Sequence, residues 1–100
     1  MSALDVVADW PVSMAAAAVV GPSGVLAQRG DTAHRFTLAS VTKPLVARAI
    51  QISIEEGVVE LDTAAGPPGS TVRHLLAHAS GYSMRSDEVM SPPGKRRIYS

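Results

Sequence analysis

The chain has no cysteine, which rules out a disulfide framework and a thiolate metal site and suits a reducing compartment. It has no net charge either, nine basic residues standing against nine acidic ones, so nothing at the whole-chain level draws it to nucleic acid or to an anionic membrane. Three consecutive basic residues, Lys95 to Arg97, are too few to change that and read as a solvated turn, with carboxylate binding a minor alternative. Long apolar runs are missing. The longest, Met14 to Val20, is far too short to span a bilayer, and Asp5 and Asp9 precede it with no early Lys or Arg, which makes it a poor signal-peptide core. The expectation is a cytoplasmic protein with no membrane span. Aromatic residues are scarce, and the isolated Trp10 and Tyr82 read as packing residues.

The rest of the composition belongs to a folded chain: 46% hydrophobic and 18% charged over 100 residues, enough for one domain with a core, or for a piece of one. Leu4, Val7 and Ala8 recur at helical intervals up to Pro11, which predicts a short N-terminal helix over 3–10. The segments 14–20 and 25–31 flank "GPSG", where Pro22 and Gly24 fit the second and fourth positions of a type I turn, and predict a β-hairpin. Ala15 to Ala18 favour helix by propensity. Only a few residues separate Pro11 from the turn, however, too few for a stable helix.

After Ser40 comes the strongest helical pattern. Leu45, Val46, Ala49, Ile50 and Ile52 form a broad apolar face opposite Arg48, Gln51 and Glu55, and Gly57 is placed to cap the end. Pro44 fits only within or just after the first turn, which puts the helix start at or next to Ser40. A connection rich in Gly and Pro follows over 58–70, then a second, shorter amphipathic helix from Ser70 or Thr71, with Gly81 after it. Residues 82–98 read as loop. The fold class is α+β.

On a helix, Ser40 and Lys43 share a face. A serine hydroxyl becomes a useful nucleophile when a neighbouring base takes its proton. Lysine can serve near pH 7 only if its value falls from ~10.4 by ~3 units, roughly 4 kcal/mol of differential destabilisation of the ammonium. A helix N-terminus disfavours the ammonium and offers free N–H groups to a developing oxyanion. Taken alone, "SVTK" is equally an N-cap serine followed by a solvated lysine. His74 and His78, four apart, have the spacing of a two-histidine metal pair, but no Glu stands beside His74 and no third ligand is evident. A partly buried His78 and a surface His74 are expected instead.

Three segments together resemble one family. "FTLASVTKPLVARA" (36–49) looks like the nucleophile segment of the serine β-lactamase and penicillin-binding-protein superfamily, in particular its class C-like branch of esterases and D-amino-acid peptidases. "VRHLLAHASGY" (72–82) is similar to the "LLxHTSG" helix end of that branch, with Ala79 where threonine is more usual, and "PPGKRRIYS" (92–100) resembles its "PG...YSN" segment. The resemblance implies that Ser40 is acylated, that Lys43 is its proton-accepting partner, and that Tyr99 shares the proton and protonates the leaving group. Whether lysine or tyrosinate is the formal base stays open, because coupled groups titrate as a pair. The Ser40 N–H would be one oxyanion donor. The substrate would be a small ester, amide or β-lactam-like molecule, with no metal or cofactor.

The Asn expected after Ser100, the Lys-Thr-Gly or His-x-Gly motif with its second oxyanion donor, and the remaining sheet strands are not in the sequence. Residues 1–100 are therefore expected to be the N-terminal portion of a single β-lactamase-like domain, inactive in turnover by themselves, with a marginal hairpin. The alternatives are a catalytically inactive scaffold or binding protein of the same family, and a helix-pair interaction module in which the motif matches are accidental.

Overall fold

The computed structural model of the protein describes residues 2–100. It divides into two compact units, residues up to Thr37 and Leu38–Ser100. In the first unit Ser2 opens a capping box: its hydroxyl accepts from the Leu4 N–H at 3.2 Å, and the Asp5 carboxylate accepts from the Ser2 N–H at 2.8 Å. The expected short helix follows as a 3-10 helix over Ala3–Asp9. Trp10, ahead of Pro11, is extended (φ −70°, ψ 136°), as the residue before a proline prefers.

The hairpin is present as β1 (Ala16–Gly21) and β2 (Gly24–Gly30), antiparallel, with Ala16 opposite Gly30 and Gly21 opposite Gly24. The register shifts between Val19 and Val20, which pair with Ala27 and Val25, so Leu26 is the extra residue of a bulge. Turn geometry thus overrides the helix propensity of the alanines. An ion pair between Asp5 and Arg29 ties the 3-10 helix to β2, and Val7 is buried at 6% exposure.

In the second unit a 3-10 turn, Ala39–Val41, leads into α1 (Thr42–Glu55). Pro44 is the third residue of α1, where its missing N–H would have had no intrahelical partner. At the other end the N–H groups of Gly57 and Val58 bond back to the carbonyls of Ile54 and Ser53 at 3.0 and 2.9 Å, a Schellman motif with Gly57 left-handed at φ 76°. The second helix, α2 (Val72–Leu76), is shorter than its pattern suggests and ends well before Gly81.

Backbone bonds from Val72 and Arg73 to the carbonyls of Thr63 and Leu61 (3.0 and 2.8 Å) seat α2 on the preceding connection. Arg73 Nε adds an ion pair to Asp62 at 3.1 Å. The Arg73 guanidinium holds the Asp62 carboxyl below its ordinary value. A lowered carboxylate stabilises the fold above the unfolded-state value of ~3.9 and loses that contribution as pH falls through the folded value. Both side chains are exposed, so the contribution is small and sensitive to salt. Asp62→Asn should therefore lower Tm slightly at pH 7 and low salt, and its melting curve should converge on the parent's in strong acid. A gap that persists at the lowest pH would point to lost packing rather than lost charge.

The core is thinner than the composition suggests. Among the described residues Val7 and Val72 are the buried hydrophobic ones, while Leu45 and Val46 on the apolar face of α1 stay 57% and 54% exposed. Val46 lines a cavity that α1 and α2 share. No helix among the described residues is long and apolar enough to cross a membrane.

Candidate active site

The 3-10 turn ahead of α1 places Ser40. Ala39 before it is left-handed at φ 48°, a conformation that costs an alanine ~1–2 kcal/mol, so the chain kinks where the serine emerges. Ser40 lies inside that turn, and no side-chain bond caps either the turn or α1. The reading of Ser40 as an ordinary N-cap therefore fails. Its hydroxyl is not taken up by the backbone at a helix start but faces Lys43, whose Nζ donates to Ser40 Oγ at 3.4 Å. That is long for a charge-assisted bond, a contact that can shorten as charge develops on the oxygen.

Tyr99 completes the group. Lys43 Nζ lies 4.7 Å from the centroid of the Tyr99 ring, within cation–π range. The Ser40 hydroxyl, and after it the Lys43 ammonium, hold the Tyr99 phenol below its ordinary value, because both stabilise the phenolate. The structure thus brings the three sequence-predicted residues together at the N-terminal end of α1.

Tyr99 is held there by the segment 78–81, which acts as a rail for the last part of the chain. The Gly94 N–H bonds to the Ala79 carbonyl (2.8 Å), the Met90 N–H to the Gly81 carbonyl (2.7 Å) and the Ile98 N–H to the His78 carbonyl (2.8 Å). Ser80 beneath is buried at 1% exposure and accepts from the Tyr82 N–H at 3.4 Å. Lys95, Arg96 and Arg97 are all exposed, as a solvated turn should be.

The two histidines do separate work. His74 is half-buried, not on the surface as expected: its Nδ1 accepts the Thr71 N–H at 3.1 Å, filling the place of the usual Glu or Gln in the capping box of α2. His78 is half-buried beside the site. Its Nδ1 accepts the Ser100 N–H at 3.3 Å, and its ring lies 4.8 Å from that of Tyr99, tilted by 32°. Sequence reasoning expected a partly buried His78 but missed its contact with Tyr99.

A cavity of about 690 Å³ opens from this group. Ser40, Lys43, His78, Tyr99 and Ser100 form its polar end, and Pro44, Val46, Ala47 and Ile50 of α1 face Val72, Leu75 and Leu76 of α2 along its apolar sides.

The sequence matches the beta-lactamase family over residues 7–100. Among solved structures, a beta-lactamase from Mycobacterium bovis is similar, with 69% sequence identity and a TM-score of 0.91; the match covers 99% of this chain and 36% of that one. The chain thus spans about a third of the length of that relative. No curated protein sequence matches.

Proposed function

Because the chain belongs to the beta-lactamase family, we propose that it carries the nucleophile of a serine hydrolase that cleaves a small ester or amide, cyclic amides included, through an acyl-Ser40 intermediate. One observation supports this reading above the others: Lys43 Nζ faces Ser40 Oγ at 3.4 Å while Tyr99 stands beside both. A serine used only as a cap has no need of a cation and a phenol at its hydroxyl.

In the proposed reaction the Lys43–Tyr99 pair takes the Ser40 hydroxyl proton as Oγ attacks the carbonyl carbon. The new C–O bond sends the carbonyl electron pair onto oxygen, where the Ser40 N–H at the helix start can receive it. Collapse of that oxyanion breaks the bond to the leaving group, which takes up the proton from the pair. A water then adds to the acyl carbon, gives a proton to the same pair, and releases the acid while Ser40 recovers its hydroxyl proton. Each proton removed is returned within the cycle, so no net charge is left in the site.

A fluorophosphonate probe tests this in the intact protein. The expected result is one phosphonyl adduct, located on Ser40 by peptide mapping. Absence of the adduct, with the protein folded, would favour the scaffold alternative.

A further inference from the structure

Both helices of the second unit end in the same motif, with different residues at its left-handed position. At the end of α1 that residue is Gly57, the usual choice. At the end of α2 the N–H groups of His78 and Ala79 bond back to the carbonyls of Leu75 and His74 at 3.2 and 2.7 Å, which puts His78 in the equivalent place at φ 56°. Glycine would relieve that backbone at no steric cost. Instead the position carries an imidazole, and a strained residue beside a reactive group is where a functional side chain is to be sought.

The imidazole and its own peptide group meet the chain around Tyr99 at three points. The His78 carbonyl accepts the Ile98 N–H at 2.8 Å, the His78 Nδ1 accepts the Ser100 N–H at 3.3 Å, and the ring lies 4.8 Å from the phenol ring between them. The residues on both sides of Tyr99 are thereby fixed to one histidine, whose ring supports the tyrosine ring while Lys43 lies 4.7 Å from that ring's centroid. Accepting the Ser100 N–H requires an unprotonated Nδ1, which sets the tautomer with the proton on Nε2.

We propose that His78 is a positioning residue, a clamp that holds the Tyr99 phenol beside Ser40 and Lys43. The role rests on the acyl-serine reading above for its consequence in acylation, but not for its geometry. A left-handed helix cap alone explains neither the bond from Ser100 nor the ring contact.

His78→Gly separates the two roles, since glycine suits the backbone and removes the imidazole. The expected variant melts at or above the parent Tm. Its Ser40 phosphonylation slows by ~10-fold or more, against the ~10²–10⁴ that proton transfer by a placed group supplies. Titration of ¹³Cζ-labelled tyrosine by NMR should show the Tyr99 midpoint rising toward the ordinary ~10 as the ring leaves Ser40 and Lys43. His78→Asn should recover part of both losses, because asparagine tolerates the left-handed backbone and its Oδ1 can accept the Ser100 N–H. The clamp is overturned if His78→Gly leaves both the phosphonylation rate and the Tyr99 midpoint unchanged, or if both variants melt well below the parent. If the parent itself is not phosphonylated at Ser40, the acyl-serine reading fails, and the Tyr99 midpoint alone decides: a shift in His78→Gly supports the clamp, and no shift overturns it.

Discussion

Lys43→Met is expected to slow acylation of Ser40 by ~10²–10⁴-fold, the range that general acid–base assistance supplies. The expectation does not depend on which member of the pair is the formal base. Lys43 Nζ is the group that contacts Ser40 Oγ, and the same ammonium helps hold the Tyr99 phenol below its ordinary value. Methionine has similar bulk and packs adaptably, so it removes the charge and the amine while keeping the stem between α1 and the cavity. Both candidate bases are weakened together. Lys43→Arg then tells them apart, because a guanidinium keeps the cation near Tyr99 but cannot give up its proton. A rate close to that of Lys43→Met identifies the lysine amine as the acceptor, and a rate close to the parent's identifies the phenolate. The measurement is the second-order rate of phosphonylation by intact-mass analysis. Parent-like labelling of Lys43→Met would remove the lysine from the mechanism.

Much of this site was legible from local rules. Pro44 limited where α1 could begin and so put Ser40 at or next to its start, and the turn residues around "GPSG" were enough to make a strand of an alanine run. Helical spacing put Lys43 within reach of Ser40, but its role as proton acceptor came from the resemblance. Spacing did not do this for Tyr99. Its approach to Ser40 depends on backbone bonds from Gly94 and Ile98 to the rail at 78–81, which no periodicity records, and only the resemblance of "PPGKRRIYS" singled it out. His78 was half-seen for a related reason: glycine is the expected left-handed residue, so Gly81 looked like the end of α2, whereas the helix stops at Leu76 and spends the special conformation on a histidine. The apolar face read on α1 is only partly the inward one: Leu45, Val46, Ala49 and Ile52 stay exposed, while Lys43, Ala47, Ile50 and Ile54 turn partly inward. Of that stripe, Val46 and Ile50 border the cavity.

The rail makes Gly81 the position where one methyl group should do the most damage. Gly81 is buried and left-handed at φ 98°, and a Cβ built on it would overlap the Ser91 carbonyl oxygen. That obstacle is backbone, held by the Met90 N–H bond to the Gly81 carbonyl at 2.7 Å and by the bridge between Tyr82 and Val89. Gly81→Ala must therefore bear both the left-handed strain and a displacement of residues 90–91, an expected loss of about 3 kcal/mol or more. At 4–8 °C per kcal/mol, the scale for the 100 residues given, Tm should fall by more than ~10 °C. Gly57→Ala is the matched control, since it shares the left-handed backbone (φ 76°) but its added Cβ would meet nothing within 4 Å. It should lose only the strain, ~1–2 kcal/mol. The difference between the two variants isolates the steric part. Acylation should separate them further, because the chain displaced at Ser91 runs through Gly94 and Ile98 to Tyr99, so Gly81→Ala should lose Ser40 labelling even below its own Tm while Gly57→Ala retains it. If the two alanine variants melt within ~4 °C of each other and label equally, the 78–81 segment is not the rail that places Tyr99.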